Sequence, residues 1–379
     1  MKVLLLSPYD ADSHRYWREG LVDSFPEYDW TVITLPPRHF NWRLRGNSLS
    51  WAFGGDIRLD EDYDLLIATS MTDLSALRGF KPGLAVVPTT VYFHENQFAY
   101  PDSGQQFPSV EPKMLNLYTA LAADQIVFNS VYNRDSFLEG AADLLKKLPD
   151  QIPPGLIEKI SDTSMILPVP LREQSIQKPD LGNHSSPSAS RLTVVWNHRW
   201  EYDKGPDRLL GALLELKKTG TQFRIHIVGQ QFRDIPPVFQ EIRSQLGDKI
   251  GHWGFIEDKD EYYQLLADSQ IVVSTALHDF QGLSVLEAVS MGCVPVVPDR
   301  LAYPQYFPAE FLYPSDVDNP ELEHKALAGR LKYLIDRYQN GQFPSPPDVS
   351  HLSWKHCKPR YQSLMEETAA SRTKPLNTS

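Results

Sequence analysis

Short apolar runs recur along this chain, and longer amphipathic segments separate them. In the first half the runs are Val3–Leu6, Thr31–Leu35, Leu65–Ala68 and Ile126–Phe128, and Pro112–Ala123 has the pattern of a helix. Continuous apolar runs of this length are typical of strands buried on both faces of a parallel sheet. Because they alternate with helical segments, the sequence predicts an α/β layer with a parallel sheet.

This pattern is interrupted once and then begins again. Arg172–Arg191 is polar and rich in serine and proline, so it is predicted to be a linker or surface loop. The predicted strands beyond it are Leu192–Trp196, Arg224–Gly229, 250–254, Ile271–Ser274 and Val294–Val297, and the predicted helices are Pro206–Lys218, Val238–Leu246, Lys259–Asp268 and one that begins near Ser284. A last helix within 353–371 is expected to pack back on the body, with a fraying tail after it.

The repeated pattern predicts two Rossmann-like domains with parallel sheets that face a central cleft. A chain of 379 residues is long for a single core, which also favours two domains. The predicted boundaries are 1–171 for the first domain, 172–191 for the linker, 192–345 for the second domain, and 346–379 for the C-terminal helix and tail. Ligands bind such sheets at the carboxyl ends of the strands, so the loops there are the candidate sites.

Composition excludes several classes of protein. The net charge of -11 argues against binding to nucleic acid by overall charge alone, although a local basic face is compatible with it. Cys293 and Cys357 are too few for a disulfide framework or a cysteine-based zinc site, and they favour the cytoplasm. No segment approaches the length of a membrane span, and the apolar start Met1–Asp10 is too short for a signal peptide.

The stretch Ser274–Pro298 contains two carboxylates, one on each side of a glycine. Asp279 and Gly282 lie in a predicted strand-to-helix loop, and Glu287 lies near the start of the helix. The free N–H groups of a helix N-terminus favour an anion, and glycine lets a phosphate approach closely. Since the carboxylates can accept hydrogen bonds from sugar hydroxyls, the pattern indicates a nucleotide sugar. The alternative is two solvated acids in an ordinary strand–loop–helix unit.

A second stretch, Val194–Gly205, follows the first strand of the second half. Arg199 and Lys204 come just beyond the predicted strand end, where a guanidinium and an ammonium suit the phosphates of a diphosphate leaving group. Neutralising the charge that develops on this group is the main electrostatic task in sugar transfer. The alternative is a charged loop in which Arg199 pairs with Glu201 or Asp203.

The segments "NHRWEYDKG" and "DFQGLSVLEA" together resemble the family-4 glycosyltransferases of the GT-B fold. That family places an arginine and a lysine on the donor phosphates and has two glutamates eight residues apart. Asp279 replaces the first of these glutamates here, which keeps the charge on a shorter side chain. The predicted catalytic residues are His94, Arg199, Lys204, Asp279 and Glu287. Further predicted donor-binding residues are Asn197, Gly229, Gly254, Phe255, Phe280, Gly282, Leu283 and Ser284.

The likeness extends over nearly the whole chain outside the linker. It includes the segments "LPPRHFNWRLR", "VYFHENQFAYP", "FNSVYNRDSF", "HWGFIEDKDEYY" and "YPQYFPAEFLY". Together these resemble the tRNA-queuosine α-mannosyltransferase family. The resemblance implies transfer of mannose from GDP-mannose to the cyclopentenediol of queuosine in the anticodon of tRNA-Asp, with retention of configuration. It also implies a first domain that binds the acceptor, no metal cofactor and no membrane partner.

Polar residues of the first half are the candidate acceptor site. His94 follows a predicted strand, and the resemblance implies that it lies near the reacting carbon; a structural histidine is the alternative. Glu95, Asn96 and Gln97 come directly after it and supply polar groups. Ser13 and His14 follow the first strand and complete this set.

The segment Pro36–Gly46 combines arginines with aromatic residues. Guanidinium groups pair with RNA phosphates, and aromatic rings stack on splayed bases. The predicted RNA contacts are therefore Arg38, Trp42, Arg43 and Arg45. A solvated loop that Trp42 anchors to the core is the alternative.

Three other functions are weighed against this hypothesis. A GT-B glycosyltransferase with a saccharide, lipid or small-molecule acceptor would share the second half, but a lipid acceptor would favour an amphipathic basic face. A non-catalytic RNA-binding relative is disfavoured because Arg199, Lys204, Glu287 and His94 are all present. A sugar-nucleotide epimerase has no need for a basic aromatic loop.

Overall fold

The computed structural model describes residues 1–100, 109–148, 151–172 and 191–371. The predicted linker therefore lies outside the described residues except at its ends, and so do the predicted tail and Pro101 of the "VYFHENQFAYP" segment. The internal contacts of the chain form two compact units. The first comprises Met1–Pro170 and Trp354–Ser379, and the second comprises Leu171–Ser353.

Each unit contains one parallel six-stranded sheet. The first sheet has the order β2-β1-β3-β4-β5-β6 and the second has the order β12-β11-β10-β7-β8-β9. The strands are β1 Lys2–Ser7, β2 Asp29–Thr34, β3 Leu65–Thr69, β4 Thr89–Phe93, β5 Gln125–Phe128, β6 Ser164–Ile166, β7 Leu192–Asn197, β8 Phe223–Val228, β9 Ile250–Gly254, β10 Ile271–Val273, β11 Val294–Pro298 and β12 Leu312–Tyr313. The predicted strands are thus confirmed to within about two residues.

Helices connect consecutive strands of both sheets, as parallel sheets require. They are α1 Asp12–Ser24, α2 Phe40–Phe53, α3 Leu74–Phe80, α4 Glu111–Leu121, α5 Val131–Lys147, α6 Leu156–Asp162, α7 Pro206–Lys218, α8 Val238–Leu246, α9 Lys259–Ala267, α10 Leu283–Ser290, α11 Tyr303–Tyr306, α12 Pro320–Gln339 and α13 Trp354–Ala370. No helix in the described part of the chain is both long and apolar enough to cross a membrane.

The central strands are buried on both faces, which explains their continuous apolar character. Every residue of β3, β4 and β11 is buried. In the first unit β4 and β5 pack against Phe137 of α5. In the second unit Trp196 of β7 packs against Phe239 of α8, and α7 packs on α12. Each sheet therefore has its own core.

The segment Pro36–Gly46 was predicted to be a basic aromatic loop. This prediction is wrong, because the residues from Phe40 onward form the helix α2. Leu44 packs with Met71 and Leu115, and Trp51 enters the core of the first unit. This packing stabilises α2, which has no side-chain cap. The residue before the helix, His39, has a left-handed backbone conformation. Since the usual helix-start signal is missing, the sequence pattern alone did not indicate this helix.

Candidate functional site

Lys204 is a buried cation at the carboxyl end of the second sheet. The residue lies in the loop after β7 and is only 7% exposed. The Nζ atom donates a hydrogen bond of 2.7 Å to the carbonyl of His278 and lies 3.3 Å from Asp203 Oδ2 and 3.7 Å from Asp279 Oδ2. Two carboxylates thus compensate a charge that would otherwise be costly to bury.

The loops after β7 and β10 are joined by hydrogen bonds that fix Lys204. Thr275 Oγ1 donates to the Lys204 carbonyl at 2.8 Å and accepts from Trp196 Nε1 at 3.0 Å. Gly205 has φ 62°, and a Cβ there would clash with the Thr275 carbonyl. The backbone around Lys204 is therefore held on both sides.

Asp279 is oriented by the helix that follows it. The N–H of Gly282, which precedes α10 with φ 75°, donates to Asp279 Oδ1 at 2.9 Å. Burial opposes ionisation of this carboxyl, but Lys204, His198 and the Gly282 N–H outweigh it and lower its pKa. Asp279 is thus a fixed carboxylate beside the cation, and the predicted helix start near Ser284 is confirmed.

Glu287 projects from α10 beside two tyrosines of α9. Tyr263 Oη donates to Glu287 Oε1 at 3.5 Å, and burial and the nearby Glu287 raise the pKa of Tyr263. Asn197 Nδ2 donates to Tyr262 Oη at 3.0 Å and to the Ser284 carbonyl at 2.7 Å. Asn197 at the end of β7 therefore ties α9 to the first turn of α10.

Arg199 has the surface pairing that was the alternative to phosphate binding. Its Nη2 lies 3.1 Å from Glu201 Oε2 and 4.0 Å from Asp203 Oδ2, and its side chain is 45% exposed. Exposed ion pairs of this kind contribute little to stability. Arg199 can therefore exchange its carboxylate partners for a more highly charged anion. The pairing therefore leaves Arg199 available to an anionic ligand.

The remaining predicted donor residues lie at the ends of β8, β9 and β10. The Gly229 N–H donates to the Gly254 carbonyl at 3.2 Å. Phe255 is exposed, whereas Phe280 is buried against the ring of His278. Leu283 and Ser284 begin α10 and are half-buried. The second unit thus brings all the predicted donor residues to one edge of its sheet.

We expect Gly229→Ala to destabilise the protein by about 1–3 kcal/mol, since the new Cβ would clash with the His198 carbonyl. Gly247→Ala is the matched control, because a Cβ there meets nothing within 4 Å. Urea unfolding of both variants measures the difference. Equal stability of the two variants would contradict the close approach of the β7 and β8 ends.

In the first unit, His94 follows β4 and is buried among aromatic rings. Its ring stacks on His14 with centroids 4.2 Å apart and meets the edge of Trp17 at 5.0 Å. Burial and then the nearby His14 hold the pKa of His94 well below its usual value, so this imidazole is neutral. Asn129 Nδ2 donates to its carbonyl at 2.8 Å.

Glu95 joins His14 to the end of β3. Its Oε2 lies 3.0 Å from His14 Nε2, and its Oε1 accepts from Ser70 Oγ at 3.4 Å. Parallel strands end at one edge of a sheet, which explains why β1, β3 and β4 supply neighbouring groups. The structure therefore brings together His14, Glu95 and His94, which are all members of the predicted acceptor set.

Asn96 and Gln97 connect the loop after β4 to the helices α5 and α4. Asn96 Nδ2 donates to Asn133 Oδ1 at 2.9 Å, and its Oδ1 accepts from the N–H groups of Phe98 and Ala99. The Gln97 N–H donates to Asn116 Oδ1 at 2.8 Å. Both side chains are buried, so they shape the segment after His94.

The predicted RNA-contact residues do not form a single basic surface. Ser13 and Arg38 are exposed, and Trp42 is 56% exposed with its ring against Gly46. Arg43 is buried, and Arg45 is ion-paired with Asp73 and Glu111. Arg38 and Trp42 are therefore the members of this set that remain open to a partner.

Sequence reasoning missed several residues of the candidate donor site in the second unit. Asp203 was assigned only as a partner of Arg199, yet it lies beside Lys204, and His278 supplies the carbonyl that fixes this lysine. His198, adjacent to Arg199, is buried in the same cluster. Their position next to the predicted residues was the available signal.

The described residues contain no group of three or more histidines, cysteines and acids placed to hold a metal ion. Asp258 caps α9, since its Oδ1 accepts from the N–H groups of Asp260 and Glu261.

Comparison with known proteins assigns the chain to a family. Residues 2–171 match the model of the N-terminal region of tRNA-queuosine alpha-mannosyltransferases, and residues 190–321 match the group 1 glycosyl transferases. A protein of Drosophila melanogaster named tRNA-queuosine alpha-mannosyltransferase is 31% identical over 377 residues, which are 97% of this chain and 97% of the relative. The chain belongs to the tRNA-queuosine alpha-mannosyltransferase family. It is a glycosyltransferase, as the resemblance implied.

Solved structures agree with the fold of this family. HepE of Anabaena, solved with UDP, is 16% identical and superposes with a TM-score of 0.66 over 97% of this chain and 100% of that chain. A sucrose-phosphate synthase of Thermosynechococcus elongatus is 12% identical, with a TM-score of 0.64 over 98% of this chain and 100% of that chain. At this identity the likeness concerns the fold alone, and the predicted GT-B class with two Rossmann-like domains is confirmed.

Proposed function

We propose that this family member transfers mannose from GDP-mannose to the cyclopentenediol of queuosine in the anticodon of tRNA-Asp. The observation that carries the proposal is the similarity, at 31% identity over 97% of both chains, to a protein named tRNA-queuosine alpha-mannosyltransferase. The buried Lys204 between Asp203 and Asp279 supports it, because a nucleotide sugar presents a diphosphate to such a cation.

In this proposal the second unit binds the donor. Lys204 and Arg199 neutralise the diphosphate, and the free N–H groups at the start of α10 add to its binding. Glu287 accepts hydrogen bonds from sugar hydroxyls, and Asp279 contacts another part of the donor. Phe255 and the backbone at Gly254 contact the base. No metal is needed to neutralise the leaving group.

The first unit binds the acceptor nucleoside. The neutral imidazole of His94 has a buried Nε2 that lacks a hydrogen-bond partner among the described residues, so it can donate to a sugar hydroxyl. Glu95, held by His14 and Ser70, accepts a hydrogen bond from a hydroxyl of the cyclopentenediol. Ser13, the exposed neighbour of His14 in the sequence, also contacts the acceptor, while Arg38 and Trp42 contact the RNA.

The proposed reaction proceeds with retention. The bond between the anomeric carbon and the phosphate oxygen breaks through an oxocarbenium-like transition state. The acceptor hydroxyl attacks from the same side, and an oxygen of the departing diphosphate takes its proton. Arg199 and Lys204 lower the barrier because they stabilise the charge that develops on that diphosphate. The enzyme works in the cytoplasm, which agrees with its tRNA acceptor and with the free thiols of Cys293 and Cys357.

The test is the transfer of labelled mannose from GDP-mannose to tRNA with and without queuosine. We expect label only on queuosine-containing tRNA. Glu287→Gln should reduce the transfer about ten- to a hundredfold, since it removes charge-assisted hydrogen bonds to the donor.

Glu241→Gln is the matched control, because Glu241 is an exposed carboxylate of α8 in the same unit. Label on tRNA that lacks queuosine would overturn the acceptor. Transfer from UDP-glucose and not from GDP-mannose would overturn the donor. Donor hydrolysis without RNA labelling would indicate a GT-B enzyme with another acceptor.

A further inference from the structure

His198 is a buried histidine that has no role in the proposed reaction. It follows β7 and directly precedes Arg199. The residue is 3% exposed, and its Nε2 is buried without a hydrogen-bond partner among the described residues. A buried polar atom of this kind costs free energy unless a ligand or a water satisfies it.

The backbone holds this imidazole in place. The edge of its ring packs against Trp196, with centroids 5.2 Å apart and planes at 70°. The His198 carbonyl lies so close to Gly229 that only glycine fits there. The backbone at His198 is therefore fixed against the end of β8, and burial and the Trp196 ring confine the imidazole.

Charged groups of both signs surround the ring. Burial is the largest effect and lowers the pKa of His198 to about 4; Lys204 and Arg199 also disfavour its protonation, while Asp279 and Asp203 favour it. The side chains of Arg199, Lys204, Asp203 and Asp279 also lie close to one another. His198 is thus a neutral imidazole inside the cluster that holds Lys204.

A diphosphate bound at this cluster would change the balance of charge. Each phosphate of a nucleotide sugar carries a negative charge near neutral pH, and it would draw Lys204 and Arg199 into ion pairs. Negative charge beside an imidazole favours the imidazolium form, and it does so strongly where water is excluded. The buried Nε2 would then be both a proton acceptor and a hydrogen-bond donor.

We propose that His198 is a proton-coupled ligand of the donor diphosphate: neutral in the free protein, it takes a proton from solvent when the diphosphate binds and donates from Nε2 to a phosphate oxygen. This inference rests on the proposed donor site. It assigns a phosphate ligand in addition to Arg199 and Lys204, and it makes donor binding depend on pH.

The sign of this dependence follows from the two protonation states. Because the bound state holds one proton more, binding strengthens as pH falls below the pKa of His198 in the complex. It weakens as pH rises through that value, and the effect ends below the pKa of about 4 in the free protein. Without this imidazole the pH dependence should be lost.

The experiment is calorimetric titration of the full-length protein with GDP-mannose in buffers of different ionisation enthalpy. Each phosphate of this probe has one ester bond and one shared anhydride bond, so its single strongly acidic group does not titrate near neutral pH and proton uptake belongs to the protein. We expect an uptake that approaches one proton per donor as pH is lowered from about 7 to about 5. His198→Gln and His198→Asn should abolish the uptake and weaken binding about ten- to a hundredfold.

His226→Gln is the matched control, because His226 is a half-buried histidine of the same unit whose pKa is also lowered to about 4, by burial and by Arg224. It should keep the full uptake. Binding by the unmodified protein without proton uptake overturns the role of His198 and leaves the donor proposal intact. Uptake that persists in His198→Gln overturns it as well, and its loss in Glu201→Gln would then assign the proton to Glu201. Failure to bind GDP-mannose overturns the proposed donor, and a proton count with UDP-glucose then decides the role of His198 separately.

Discussion

Lys204→Met is expected to reduce sugar transfer about 10²- to 10³-fold and to destabilise the protein. The methionine keeps the length of the side chain but removes the charge that would stabilise the leaving diphosphate. It also leaves Asp203 and Asp279 buried without their cation, which costs about 3–5 kcal/mol. Transfer from GDP-mannose and urea unfolding measure the two effects.

Lys218→Met is the matched control for this variant, because Lys218 is an exposed lysine whose partner is Glu215. Its activity and stability should stay near those of the unmodified protein. The double variant Lys204→Met with Asp203→Asn should recover part of the stability and none of the activity, since it removes one unpaired carboxylate. Full transfer activity in Lys204→Met would contradict the role proposed for this lysine.

The second large effect is expected from Glu323, which the sequence pattern did not single out. Glu323 on α12 is 1% exposed and forms ion pairs with both Arg208 and Arg300. Arg300 Nε also donates to the Ala276 carbonyl at 2.9 Å, in the loop that leads to Asp279. Glu323 therefore links the stability of the unit to the position of the candidate site.

We expect Glu323→Ala to lower the free energy of unfolding by about 3–5 kcal/mol, because it leaves two buried guanidinium groups uncompensated. Chemical denaturation followed by circular dichroism measures the change. Glu321→Ala is the control, since Glu321 pairs with Lys325 on the exposed side of the same helix. It should change stability by at most about 0.5 kcal/mol. Equal losses for the two variants would contradict a buried ion cluster.

The elements that could be predicted from the sequence are those with a strong local pattern. The strands that continue for several apolar residues, such as Leu192–Asn197, and the amphipathic helix Pro206–Lys218 were found with nearly correct bounds. The α12 helix was not predicted, although Asn319 before Pro320 is a typical helix start. The α2 helix was not predicted for a physical reason: its start has no side-chain cap, and its stability comes from packing on Met71 and Leu115.

The candidate site was predictable in part, because its residues follow strand ends. The carboxyl edge of a parallel sheet brings the loops after its strands together, and these loops and the helix that follows them contain Arg199, Lys204, Asp279 and Glu287. The pairing of His14 with Glu95 joins residues 81 apart in the sequence, and no local pattern indicates such a pair. The ion pairs of Arg45 were equally hidden, because Asp73 caps α3 and Glu111 begins α4, both distant from Arg45 in the sequence.

The sequence by itself determined the α/β class, the two sheets and the residue types at the strand ends, since these depend on short-range patterns of polarity. The tertiary structure decided which of these residues are neutral, which are paired and which remain exposed. These properties depend on burial and on charges brought close by the fold, as for Lys204 between two carboxylates and for His198 beside it. Electrostatic energies are set by distances in space and by exclusion of water, and the order of residues along the chain specifies neither directly.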